Sequence, residues 1–177
     1  MKIPVVDRDD TVIGLKERDD LTKGDISRVS ALWITNSKGE YLLAQRALTK
    51  RHSPGKWGPA VAGTVEEGET YEINIIKETQ EEIGITLSVQ ELLSGPKVLR
   101  KPGTGYYFVQ WYFAVVDKDL SGFTYPENEV TGLRWVSDHE LRTNLAGHGD
   151  EYIASLHESL ELLVKGAEEA RRHFIQK

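Results

Sequence analysis

The sequence predicts an α/β protein, a mixed β-sheet carrying helices on both faces. Three observations lead there. Apolar and β-branched runs at 29–36, 41–46 and 106–116 read as strands. One long helical segment, ending at Gly84, separates the early strands from the late ones. The chain then closes on an amphipathic stretch from about residue 150 to 174. The order strand–strand–helix–strands–helix is that of a layered mixed sheet.

Length and composition narrow the classes. A chain of 177 residues with 39% apolar side chains suits a single domain, 1–177, with a sizeable core. The absence of cysteine excludes disulfides, thiolate nucleophiles and cysteine metal ligands. A net charge of −6 argues against broad nucleic-acid binding. No apolar run approaches a membrane span. MKIPVVDRDD lacks the apolar core of a signal peptide, so a soluble, cytoplasmic protein is expected, with neither membrane nor nucleic acid as partner. A homodimer is left open.

Residues 3–6 and 11–16 read as short strands around an Asp9-Asp10 turn, within a charged N-terminal β-arm, 1–28. That arm is either solvated or paired with the sheet or with a second subunit. VSALWITN and YLLAQR form a hairpin through Ser37-Lys38-Gly39. The loop RALTKRHSPGKW, 46–57, is basic, and Arg46, Lys50, Arg51 and Lys56 suit a phosphate. Core packing is expected of Trp57. AVAG, 60–63, is a short strand entering the central helix. Residues 86–93 read as a strand. SGPKVLRKPGTGYY carries two turn signals, one of them Pro102-Gly103. In the strand 106–116, Tyr107, Val109, Trp111 and Phe113 share one face, and Tyr106, Phe108, Gln110 and Tyr112 the other. A loop with Glu127 and Glu129 precedes the strand 133–137, and Ser137 with Glu140 caps a short helix. Tyr152, Ile153, Leu156, Leu160, Leu163 and Val164 mark the last helix. His139, His148, His157 and His173 are scattered and receive no ligand role.

The chemistry concentrates in GTVEEGETYEINIIKETQEEIGI, 63–85. On a helix Glu78, Glu81 and Glu82 are neighbours, with Ile73, Ile76 and Ile83 expected on the opposite, inner face. Three carboxylates within about one turn repel one another, and a hard divalent cation relieves the repulsion. Gly63 lets backbone oxygen come close to a metal, and Gly84 suits a helix C-terminus.

This stretch resembles the Nudix box, Gly-x5-Glu-x7-Arg-Glu-U-x-Glu-Glu-x-Gly-U, where U is apolar. Gly63, Glu69, Glu78, Glu81, Glu82, Gly84 and Ile85 match. Lys77 stands in place of arginine and Thr79 in place of an apolar residue. The resemblance implies an α/β/α sandwich and Mg²⁺-assisted water attack at phosphorus on a diphosphate joined to a group X, with Mn²⁺ a substitute metal. Carried over, Glu78, Glu82, Glu81 and the Gly63 carbonyl are metal donors. Glu81, Glu82 and Glu129 are the catalytic candidates, with Glu127 behind Glu129, and Glu69 and Lys77 are supports. Lysine is a point charge where arginine is a planar fork, so Lys77 is expected to hold Glu69 less rigidly. Thr79 is expected at the edge of the buried face. By family frequency X leans to a nucleoside diphosphate derivative, with sugar nucleotides and isoprenoid diphosphates open.

Residues 5–137 also resemble the type I isopentenyl diphosphate isomerases, most clearly in NSKGEYLLAQRALTKRHSPGKW. That likeness implies diphosphate contacts from Arg46 and Lys50. The isomerase cysteine corresponds to Ala62, its histidines to Thr64 and Ser27, and two glutamates fall near Tyr106 and Phe108. Alanine cannot protonate an alkene, so isomerisation is disfavoured. A non-catalytic diphosphate-binding module is disfavoured too, because all four box glutamates remain.

Overall fold

In the computed structural model, residues 1–101 and 105–175 are described. Their nine strands join one sheet: β1 Lys2–Val6, β2 Val12–Glu17, β3 Ile26–Thr35, β4 Tyr41–Arg46, β5 Trp57–Pro59, β6 Val61–Thr64, β7 Leu93–Arg100, β8 Tyr106–Val115 and β9 Val130–Val136. The helices are α1 Tyr71–Ile83, α2 Asp138–Gly147 and α3 Ala154–Ile175.

The sheet is mixed about β3. β8 runs parallel beside it from Ile26↔Tyr106 to Thr35↔Val115, while β1, β6 and β4 meet it antiparallel. β4 carries β5 and β9, and β7 lies outside β8. Alternation along β3 and β8 splits the core in two. Leu32, Ile34, Tyr112 and Ala114 pack with Ile75 and Ile83 of α1. Trp33, Trp111 and Phe113 pack with Leu141 of α2 and with Leu156, Leu163 and Ala167 of α3. This is the expected layered arrangement, and each layer exists because a pleated strand sends alternate side chains to opposite faces.

The N-terminal arm is a hairpin docked on the sheet. β1 and β2 pair around a turn in which Asp10 adopts φ 61°, and Ile3, Val5 and Val6 are buried.

Four expectations are corrected. Ile73 is 54% exposed and Ile76 only half-buried, while α1 turns Ile75, Thr79 and Ile83 inward. Thr79 is fully buried rather than at an edge; its hydroxyl donates to the Ile75 carbonyl at 2.6 Å, which satisfies it inside the helix. Residues 89–91 form a 3₁₀ turn, and the strand begins at Leu93 and passes through Gly95-Pro96 with a register break between Ser94 and Lys97. Proline is tolerated there because β7 is an edge strand. The last helix begins at Ala154, not near 150: Gly149–Glu151 is a 3₁₀ turn, and Tyr152 bridges to Trp57. The Pro102-Gly103 turn lies outside the described residues.

Candidate active site

Helix α1 is fixed at both ends. The Thr70 hydroxyl accepts from the Ile73 amide at 3.2 Å, and Gly84 closes the helix at φ 71°, against Thr124. A side chain at Gly84 would have to displace Thr124 backbone as well as its hydroxyl. The rotation of the helix is set by Asn74, which is fully buried. Its amide donates to the Thr64 carbonyl at 3.1 Å and to Glu69 at 2.8 Å, and its oxygen accepts from Ser30.

That rotation parts the three glutamates. Glu78 and Glu82 sit on the sheet side of the helix, half-buried, whereas Glu81 is exposed. The Ala62 amide donates to Glu82 at 2.9 Å. Gly63 lies so near Glu78 that any β-carbon would overlap the carboxylate. Burial pushes the Glu82 carboxyl up to about 7; the Glu78 charge adds to this, and the Ala62 amide opposes it. Burial also raises Glu78; the Lys77 charge opposes this, and Glu81 and Glu69 add to it.

Lys77 bridges Glu66 at 2.8 Å and Glu69 at 2.7 Å. Glu69 also accepts from the Glu66 amide at 2.9 Å. The lysine point charge thus braces the loop before α1 by touching two carboxylates. Burial works against its proton, but these partners raise the Lys77 pKa nonetheless.

Across from the helix stands the basic loop. Lys50 pairs with Glu129, whose carbonyl takes the Ala47 amide at 3.0 Å. Arg46 donates from Nε to the His52 carbonyl at 2.9 Å. Burial lowers the pKa of both Arg46 and Lys50, and the charge of Glu82 opposes it in each. Glu82, Arg46 and Lys50 therefore share one electrostatic neighbourhood, which Glu129 joins through Lys50. Glu127 is exposed in the loop before β9. Arg51 pairs with Asp19 of the arm at 3.4 Å. Trp57 is half-buried beneath the Arg134 guanidinium, 4.1 Å from the ring centre.

Among the described residues no three carboxylate or imidazole groups converge into a ready-made metal cage. The donors present nevertheless suit a hard cation. Two carboxylates raised by burial and by neighbouring glutamates, beside a glycine that admits close approach, fit Mg²⁺, which completes its shell with water and substrate oxygens.

The NUDIX domain family model matches residues 25–156. The chain belongs to the NUDIX family. This Nudix chain is 29% identical over 164 residues to a prenyl-diphosphate phosphatase of Methanosarcina mazei, covering 92% of this chain and 95% of that protein. It is 28% identical over 140 residues to an isopentenyl-diphosphate Delta-isomerase of Nocardia farcinica, covering 78% and 79% respectively. In fold it is similar to the crystal structure of DR0079 from Deinococcus radiodurans, with TM-score 0.72 and 23% identity over 98% of this chain and 99% of that one. A Nudix-type hydrolase of diphosphates is the enzyme class these relatives support. No helix among the described residues is long and apolar enough to cross a membrane.

Several site groups had no signature in the sequence. The Ala62 amide is backbone, and Ser30 and Asn74 carry no motif. Only the fold brings them in.

Proposed function

We propose that this protein is a Mg²⁺-dependent hydrolase that cleaves the diphosphate of a small organic diphosphate by water attack at phosphorus. The observation that carries this reading is the half-buried pair Glu78 and Glu82 facing Arg46 and Lys50. A metal–diphosphate complex carries both signs of charge and would match the carboxylates and the cations together.

Glu78, Glu82 and the Gly63 carbonyl would hold Mg²⁺, with Glu81 at the exposed rim. The bound ion supplies charge neutralisation and acidifies water. Arg46 and Lys50 bind and orient the diphosphate oxygens. Glu129, held against Lys50, takes the proton of the attacking water, and binding of the diphosphate draws Lys50 away to free that carboxylate. Glu69 and Lys77 keep the loop before α1 in place, and with it the α1 carboxylates. Catalysis here is chiefly positioning and electrostatics.

For X we propose a prenyl chain ahead of a nucleoside. The similarity to the Methanosarcina mazei prenyl-diphosphate phosphatase runs over nearly the whole of both chains, and supports this choice. Isomerisation has no acid here: Ala62 offers a methyl group, and its amide is already given to Glu82.

Phosphomonoester and phosphate products should be resolved by chromatography after incubation with Mg²⁺ and isopentenyl, geranyl or farnesyl diphosphate, nucleoside diphosphate derivatives or sugar nucleotides. Release from the prenyl substrates, lost in Glu82→Gln, is the expected result. Activity that survives Glu82→Gln would overturn the site, and turnover confined to nucleotides would overturn the choice of X. An allylic isomer from isopentenyl diphosphate would overturn the hydrolase reading.

A further inference from the structure

Helix α1 lies against β6 in a fixed register. Three successive residues of the strand meet three residues spaced four apart on the helix. The Ala62 amide donates to Glu82 at 2.9 Å, Gly63 abuts the Glu78 carboxyl, and the Thr64 carbonyl accepts from Asn74 Nδ2 at 3.1 Å. Residues four apart form one stripe of a helix, so Asn74 stands one turn from Glu78 and two from Glu82. It is the uncharged member of the stripe, and it is fully buried.

The whole Asn74 amide is engaged. Nδ2 also donates to Glu69 Oε2 at 2.8 Å, and the amide oxygen accepts from Ser30, itself fully buried on β3. The Thr64 carbonyl and the Glu69 carboxylate only accept, so the amide faces them in one orientation. The other Glu69 oxygen, Oε1, lies 2.7 Å from Lys77 Nζ. Glu69 is thus held by two side chains of α1, one at each oxygen. An arginine takes both oxygens of a carboxylate with one planar fork, whereas lysine is a point charge on a flexible stem. Asn74 supplies the second grip. A buried Ser–Asn pair adds little net stability over an apolar pair of the same shape, but it fixes position.

We propose that Asn74 is a positioning residue of the metal centre. With Lys77 it holds Glu69, and through the Thr64 carbonyl it holds β6 one residue beyond the Gly63 oxygen, opposite Glu78 and Glu82. This inference rests on the metal-binding reading of the site. It makes positions 74 and 77 interdependent: the asparagine is needed because lysine stands at 77, and an arginine there relaxes the need.

The test reads metal binding instead of turnover. Mn²⁺ alone is titrated into the full chain, and the free ion is followed by electron paramagnetic resonance. Asn74→Ala should weaken Mn²⁺ binding about tenfold, the usual cost of losing a group that orients metal ligands. Lys77→Arg should bind as the wild type does. Asn74→Ala combined with Lys77→Arg should return to within about threefold of the wild type, because the fork takes both Glu69 oxygens. Both variants that lack Asn74 should melt at the same lowered temperature, since each leaves Ser30 and the Thr64 carbonyl without that partner. Affinity that returns while the melting temperature does not is the mark of positioning. Should Asn74→Ala fail to fold, Ser30→Ala carries the test: it untethers the amide, and should weaken binding about threefold alone and not at all alongside Lys77→Arg. Wild-type affinity in the variant tested, the same loss with and without Lys77→Arg, affinity and melting temperature recovering in parallel, or a wild type that binds no Mn²⁺ would overturn the inference. A wild type that binds Mn²⁺ but hydrolyses no diphosphate would overturn the proposed function alone, and the titration would still read Asn74.

Discussion

A β-carbon at Gly63 would overlap the carboxyl end of the Glu78 side chain, so any residue larger than glycine there has to move that carboxylate. The glycine and the first glutamate of the cluster answer one steric demand. Gly63→Ala should push Glu78 off its place beside Glu82. Turnover should fall at least tenfold and the Mg²⁺ requirement should rise, with a melting temperature lowered by only a few degrees. Metal titration of activity alongside thermal melts checks this, and unchanged Mg²⁺ dependence would count against Glu78 as a ligand.

The carboxylate pair also makes stability pH-dependent. In the metal-free protein Glu82 binds its proton more tightly folded than unfolded, as its pKa of about 7 against an ordinary 4.5 states. Its stabilising contribution is whole below the ordinary value and disappears as pH rises toward 7. Melts in EDTA should give a higher Tm at pH 5.5 than at pH 8, with Glu82 accounting for about 2–3 kcal/mol at most. Glu82→Gln should flatten the profile, and Mg²⁺ should recover more stability at pH 8 than at pH 5.5. A profile just as steep in Glu82→Gln would place its origin elsewhere.

Lys77 holds two carboxylates at once. Lys77→Ala should cost about 1 kcal/mol, since the bridge is only partly shielded from water. Activity should drop several-fold through kcat, because the loop leading into α1 loses its brace. Lys77→Arg should restore activity to at least the native level. Chemical denaturation and steady-state kinetics on the two variants provide the check.

Asp10 is the pivot of the arm. Asp10→Asn keeps a side chain that tolerates φ 61° but removes the charge between Arg28 and Lys97. Stability should fall by about 3 kcal/mol, as for a shielded pair that loses one partner. Burial acts against the Asp10 anion, but Lys97 and Arg28 outweigh it and hold the carboxyl below its ordinary value. Its contribution is accordingly present at neutral pH and lost only as pH falls through the acid range. Faster amide exchange across β1 and β2 in Asp10→Asn would report the loosened arm, and unchanged exchange would argue that other contacts hold it.

Some of this was legible from residue order alone. The spacing from Gly63 to Ile85 identifies the helix, its cap at Gly84 and the acidic chemistry, because these are local properties of 3.6-residue periodicity and of glycine. The strands β3, β4 and β8 follow from their apolar runs. The facing of α1 did not follow. Ile73, Ile75, Ile76 and Ile83 could have been inward in more than one rotation. A buried polar bridge through Asn74 chooses the one that turns Glu78 and Glu82 toward the sheet and leaves Ile73 in water.

Residue order therefore determined which groups this protein has for holding a metal and a diphosphate, along with the helix that carries the acidic ones. Tertiary structure alone decided which two of the three glutamates turn toward the sheet, that Lys50 meets Glu129, and that Asp19 of the N-terminal arm meets Arg51. The reason is physical. Helix periodicity and glycine geometry are written over a few neighbouring residues. The rotation of a helix on a sheet and the docking of a hairpin depend on packing and buried hydrogen bonds between segments far apart in the chain.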